Sequence, residues 1–184
     1  KQLLQSDCGP TLVIENKTLY GIEIRSKAPP GFTLLHSNEA FPTAWLKPET
    51  PTTDVTLIGY GGMSEFLVKA CEVLFDEYEI IAQTICPSRI YPFSISGLIP
   101  ELEKTTALIL VEEGQAFGSF SSEVLAQLAE HAPNMLKTVK RVAPPALSIP
   151  ASGPLEKEVL PGIDEIVEAC RSLFHENLSK GSAH

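Results

Sequence analysis

From Asp54 onward the chain repeats one unit: a short apolar run, a turn, then an amphipathic stretch. Few architectures accept that order. Val55-Thr56-Leu57-Ile58-Gly59-Tyr60 is nearly continuous in apolar character, as in a strand covered on both faces. Gly61-Gly62 turns the chain. Met63, Phe66, Leu67, Ala70 and Leu74 then recur at helical spacing. Residues 79–85 and 106–111 repeat the strand pattern, and residues 138–142 give a shorter one. Helical stripes recur over 118–130, with Phe120, Val124, Leu125 and Leu128 inward, and from Ile163 to Phe174. Pro92 and Ser94 open a shorter helix that runs to Leu102. Such alternation predicts an α/β three-layer sandwich, a mostly parallel sheet between helices joined by right-handed crossovers.

Upstream, Thr11-Leu12-Val13-Ile14-Glu15 reads as one further strand, making five. The stretch after it holds Pro29, Pro30, Pro42, Pro48 and Pro51. Each proline removes a backbone donor and disfavours helix before it, so residues up to 53 read as linker with short extended pieces. Phe41 and Trp45 are expected to pin that linker to a surface. The domain proper is expected over 54–176, and residues 177–184 as a frayed polar tail.

Charge narrows the partners. The chain carries 14 Lys and Arg against 23 Asp and Glu, a net −9. Residues 1–50 hold five of each sign, so residues 51–184 carry the whole excess. That balance argues against nucleic acid and against an anionic membrane, because phosphate binding needs clustered positive charge. No apolar run approaches a spanning helix and no signal peptide opens the chain. The chain starts on Lys1 rather than Met, as expected of a processed chain or a piece of a longer one. Cysteines at 8, 71, 86 and 170 have neither zinc spacing nor a disulfide framework, which makes a reducing, cytoplasmic setting the expectation.

Candidate chemistry is sparse. Gly59-Tyr60-Gly61-Gly62 lies where a phosphate-binding turn would sit, but Ser64 stands where a dinucleotide fingerprint needs glycine. Glycines that keep the turn tight beneath a neighbouring surface explain the motif better. Glu112 and Glu113 end a buried strand, yet adjacent strand residues point to opposite faces and do not converge; one of them is expected to cap a helix or bind a backbone donor. His36, His131, His175 and His184 form no metal-type spacing. Cys71 and Cys170 sit on apolar helix faces, and Cys86 lacks a partner base. No catalytic, cofactor-binding or metal residue is assigned. One surface is: Phe117 and Phe120 flank Gly118-Ser119, and both cannot turn inward across so tight a step. Phe117, Gly118 and Phe120 are therefore the candidate interface.

Several stretches, taken in order, resemble a known family. Asp54 to Met63 resembles the opening of the transketolase C-terminal domain, most of all that of the beta subunit of thiamine-diphosphate-dependent 2-oxoacid (pyruvate and branched-chain) dehydrogenases. Leu110-Val111-Glu112-Glu113-Gly114, with Gly118-Ser119-Phe120 and Ser122-Glu123-Val124, is similar to the family's strand, turn and helix. Lys140 to Ala143 with Pro150, then Leu155 to Pro161 and Ile163 to Val167, resemble its closing segments. Gly9 to Tyr20 resembles the end of the preceding pyrimidine-binding domain.

The resemblance implies a five-stranded sheet, an upstream domain bearing the active site, and a non-catalytic role in subunit association for this one. It implies thiamine diphosphate and magnesium in the parent oxidoreductase and none in this fragment. Its partners would be its own subunit or an alpha-type subunit, with an acyltransferase core beyond. The chain departs from the family at Cys86 and Ser88, where an acid and an arginine are usual, and at Lys137, where an acid is usual. A transketolase, a deoxyxylulose-phosphate synthase or a 2-oxoacid:ferredoxin oxidoreductase stays open as the parent, as does a free-standing flavodoxin-like module.

Overall fold

The computed structural model describes residues 9–22 and 27–181, with side chains throughout except for Thr18, Lys137 and residues 175–181. Six strands form one sheet in the order β1-β2-β4-β3-β5-β6. They are β1 (Phe32–His36), β2 (Ala44–Pro48), β3 (Thr53–Ile58), β4 (Ala82–Cys86), β5 (Thr105–Val111) and β6 (Val139–Val142). The last four run parallel, with Val55 opposite Ala82 and Ala107, and Leu110 opposite Arg141. β1 and β2 are an antiparallel hairpin joined to β4 through Ala44 opposite Cys86.

The central strands are largely apolar because both faces are covered. On β5, Ala107, Ile109 and Val111 belong to one core while Leu108 and Leu110 belong to the other. The first core is closed by α1 (Met63–Tyr78) and α5 (Ile163–Gly181), through Leu67, Cys71, Leu74, Ile166 and Cys170. The second is closed by α2 (Ile99–Leu102) and α3 (Phe120–His131), through Leu102, Val124 and Leu128. A short α4 (Gly153–Val159) follows the proline-rich connection and buries nothing.

Four expectations change. The helix expected to open at Pro92 and Ser94 covers only Ile99–Leu102. The sheet has six strands, and two of them lie in the stretch that reads as linker. Prolines 29, 30, 42, 48 and 51 sit around the hairpin or at its end, where an edge tolerates a missing donor. The strand expected at residues 11–15 is not one. That segment carries no regular structure and pairs with no strand among the described residues. A 3-10 turn over Lys17–Gly21 follows it. At the other end, α5 continues through Gly181, so most of the expected tail is helix, while residues 182–184 lie outside the described residues.

Candidate functional site

The parallel strands all end on one side of the sheet, and the hairpin turn at residues 37–43 comes to the same side. Five loops meet there, over residues 37–43, 59–62, 87–98, 112–119 and 143–152. Open α/β sheets carry their sites at this edge.

Glu112 is the pivot of the rim. It is 2% exposed, and its Oε1 accepts the Ser121 N–H at 2.7 Å. A carboxylate thus fills the positive N-terminus of α3, the favourable end for it. Its Oε2 is buried without a hydrogen-bond partner among the described residues. The Tyr60 hydroxyl faces the same carboxylate. Burial pushes its ionisation up, and the charge on Glu112 adds to that. The Tyr60 ring packs edge-on against Phe120 at 5.3 Å, and Phe120 against Phe93 at 4.7 Å.

The loop between Glu112 and α3 is tied at both ends. Ser119 caps α3 in extended conformation, its Oγ accepting the Ser122 N–H. Arg141 Nη1 donates to the Ala116 carbonyl at 2.9 Å and to Ser122 Oγ at 3.1 Å. Gln115 Nε2 donates to the Leu147 carbonyl at 3.0 Å. Gly118 takes φ +62, which only glycine adopts freely, and the chain reverses there. Phe117 is thrown outward, 95% exposed, while Phe120 is half-buried against Phe93 and Tyr60. One aromatic out and one in is the arrangement expected from their spacing.

Other apolar groups are exposed on the loops of the same edge. Tyr91 is 90% exposed, and Leu147 and Ile149 are exposed as well. The charged side chains of the five loops are only Glu39, Arg89, Glu112 and Glu113, with Arg141 reaching in from β6. This edge is near charge balance on a chain of net −9.

The remaining candidates fall elsewhere. Gly61 takes φ +58 and Gly62 lies beneath Asn16 of the N-terminal segment. Cys71 and Cys170 are buried in the first core, and burial raises both thiols, Cys170 to about 12. Cys86 is pushed up to about 11 by burial, against the lowering pull of Thr84 and Ser64. Ser88 Oγ donates to the Pro42 carbonyl at 2.7 Å, tying the β4 loop to the hairpin. The side chains of Lys137 and His175, and all of Cys8 and His184, lie outside what is described. Among the described residues no three His, Cys, Asp or Glu side chains gather as a metal ion would need. No helix among them is long and apolar enough to cross a membrane. A cavity of about 430 Å³ lies at the opposite end of the sheet, between Thr105, Asn134 and His131, the one candidate residue that lines it. The sequence expectation that Glu112 or Glu113 caps a helix is met by Glu112 on α3; sequence reasoning missed the reach of Arg141, which depends on tertiary placement.

A family profile described as "Transketolase, C-terminal domain" matches residues 46–166. Pyruvate dehydrogenase E1 component subunit beta, mitochondrial, of Pisum sativum is 29% identical over 178 residues, 96% of this chain and 48% of that protein. The subunit beta-1 counterpart of Arabidopsis thaliana is 31% identical over 90% of this chain and 44% of its own length. Acetoin:2,6-dichlorophenolindophenol oxidoreductase subunit beta of Cupriavidus necator is 27% identical over 97% of this chain and 49% of that protein. The chain thus spans about half the length of the curated relatives it matches. A solved structure titled split gene transketolase, inactive beta4 tetramer, superposes with a TM-score of 0.58 at 23% identity, covering 66% of this chain and 39% of that one. A 2-oxoglutarate:ferredoxin oxidoreductase from Magnetococcus marinus gives 0.51 at 13% identity, covering 71% and 19%. At those identities the likeness is one of fold.

Proposed function

This chain belongs to the transketolase C-terminal domain family, and on that premise we propose that it is the association domain of a thiamine-diphosphate-dependent 2-oxoacid dehydrogenase beta subunit. In this reading the parent protein oxidatively decarboxylates a 2-oxoacid. The present chain supplies a surface by which subunits meet, and no reacting group. Relatives named as beta subunits support the reading.

The observation that carries it is Phe117, 95% exposed on a loop fastened at both ends. A large apolar side chain held rigidly in water loses little entropy on binding and gains its burial. Tyr91, Leu147 and Ile149 extend the patch, and the near balance of charge lets two acidic chains approach there. The partner is a second subunit, another copy of this chain or an alpha-type chain. The free thiols Cys71 and Cys170 are in keeping with a reducing compartment such as the cytoplasm, or the mitochondrion that the pea and Arabidopsis relatives carry in their names.

Thiamine diphosphate with magnesium does not fit this end of the sheet. Asn16 lies over Gly62, Glu112 fills the N-terminus of α3, and Glu113 adds negative charge beside the turn. In this reading the cofactor belongs to other parts of the parent protein. Calorimetric titration with the cofactor and magnesium checks this; saturable binding at micromolar affinity would overturn it.

Sedimentation velocity tests the association itself. The wild-type chain is expected to self-associate and Phe117→Ser to shift it toward monomer. The melting temperature should move little, because an exposed substitution typically changes stability by within about 0.5 kcal/mol. A wild-type chain that stays monomeric at high concentration overturns the assignment for a second copy, as does a Phe117→Ser chain that associates unchanged.

A further inference from the structure

The Gly61-Gly62 turn is used neither by a phosphate nor by the rim patch, yet it is occupied. A Cβ built on Gly62 would lie 2.6 Å from Asn16 Nδ2 and 3.5 Å from Glu113 Oε2. Real Cβ atoms do not tolerate the first distance. The φ of Gly62 is −61°, a helical value open to any residue, so its backbone does not require glycine. What requires the missing side chain is the carboxamide of Asn16. Gly61 differs: its φ is +58° and nothing lies within 4 Å of its Cβ position. The two glycines therefore serve separate ends, one the turn and one the contact.

Asn16 belongs to a segment with little else to hold it. Between residues 9 and 22 only Asn16 and Leu19 are half-buried among the side chains described, and the others are exposed. Leu12 is 86% and Ile14 77% exposed. The 3-10 turn that follows hangs from the same point, because the Asn16 carbonyl accepts the Leu19 N–H and the Leu19 carbonyl accepts that of Ile22, each at 3.1 Å.

We propose that the β3–α1 turn is a niche for the Asn16 carboxamide, framed by Gly62 and Glu113, and that this contact latches the N-terminal segment across the C-terminal edge of the sheet. The latch fixes the path by which the upstream chain enters the domain. It also fixes where the apolar run Leu12-Val13-Ile14 stands relative to the rim. It acts within one chain and does not depend on association.

Three variants of the full chain test it at a dilution where the protein is monomeric: Gly62→Ala, Asn16→Ala and the double variant. The readouts are the rate of cleavage within residues 11–22 by a protease that cuts beside apolar residues, and amide exchange at Leu19 and Ile22. Each single variant is expected to raise both rates roughly tenfold with the melting temperature nearly unchanged, since local opening is read separately from global unfolding. The double variant should be no faster than the faster single one, because both remove the same contact. Unchanged rates in Asn16→Ala overturn the latch. So do multiplied effects in the double variant, or faster cleavage that tracks a fall in melting temperature. If Gly62→Ala fails to fold, Asn16→Ala still decides, because Asn16 lies outside both cores. A wild-type chain that is monomeric at every concentration overturns the association reading and leaves the latch untouched.

Discussion

Gly59 shows how one missing side chain sets the spacing of the sheet. A Cβ there would meet the Val111 carbonyl and Leu67 Cδ1, each at 3.0 Å. The first is backbone of the neighbouring strand and cannot step aside. Gly59→Ala is therefore expected to wedge β3 from β5 and destabilise by about 1–3 kcal/mol, the usual cost of overpacking. Urea denaturation checks it, and an unchanged midpoint would show that the strands give way freely. Glu112→Ala should cost about 1–3 kcal/mol by leaving the buried Ser121 N–H unpaired, while Glu112→Gln, which keeps an acceptor, should cost less. The thiols bring a pH dependence. Burial holds Cys71 well above its usual value, Cys86 near 11 and Cys170 near 12, against 9.0 for an ordinary thiol. Below that ordinary value the thiols are neutral in both states and contribute no change. Above it only the unfolded chain gains the charge, so stability falls as pH climbs from 9 toward 11. Thermal melts across that range decide the sign, and a rising midpoint would refute it. Of these residues the sequence marks Gly59 as a turn glycine beneath a neighbouring surface and Glu112 as one of two candidate caps, but not the atoms they meet. The deciding atom for each lies more than eight positions away in the chain.

At the level of elements, what could be read from the pattern is what pays no regard to neighbours. β3, β4, β5, α1, α3 and α5 each carry their own period, continuous for strands covered twice and near 3.6 for the helices. The hairpin does not. Phe32 to His36 and Ala44 to Pro48 are short and fenced by prolines, and only their pairing with each other, and that of the second with β4, makes them strands. Thr11 to Glu15 has the better strand composition and lacks the partner, so it stays single. Composition offers a strand, and the neighbour decides. α3 depends on its start. Ser119 is its cap, Glu112 holds the next N–H, and Arg141 bonds Ser122 and Ala116. Ser119→Ala is expected to cost about 1 kcal/mol, as the loss of a serine cap does. Circular dichroism during urea unfolding measures it. No loss of stability would mean that Glu112 alone suffices to start the helix. An outward aromatic was legible because steric spacing alone turns one of two aromatics outward; that it is Phe117 followed only from Gly118 and the tied loop.

For the whole molecule the question is where the cooperative unit begins. Periodicity places that start at Asp54, whereas the sheet starts at Phe32. Leu46 is fully buried, Phe32 nearly so, and both belong to the core shared by α1 and α5. The Leu46 N–H reaches Thr84 Oγ1 at 3.3 Å, and Lys47 pairs with Glu101 at 2.8 Å, so the hairpin bonds both β4 and the α2 side. Ala28 packs against the same core. A chain cut to residues 54–184 would lose the burial of these side chains and bare β4 along its length. A bare apolar edge invites pairing with other chains. A chain cut to residues 27–184 keeps all six strands and gives up, among the described residues, only the latched segment, which lies outside both cores. The longer piece is therefore expected to unfold in a single cooperative urea transition with nearly the full-length midpoint. The shorter piece should give a broad transition of low slope, or scatter light as it aggregates. Far-ultraviolet circular dichroism and light scattering on the two pieces separate these outcomes. If the 54–184 piece melts as sharply as the 27–184 piece and stays clear, the hairpin is an appendage after all, and the parallel strands with their helices are the folding unit.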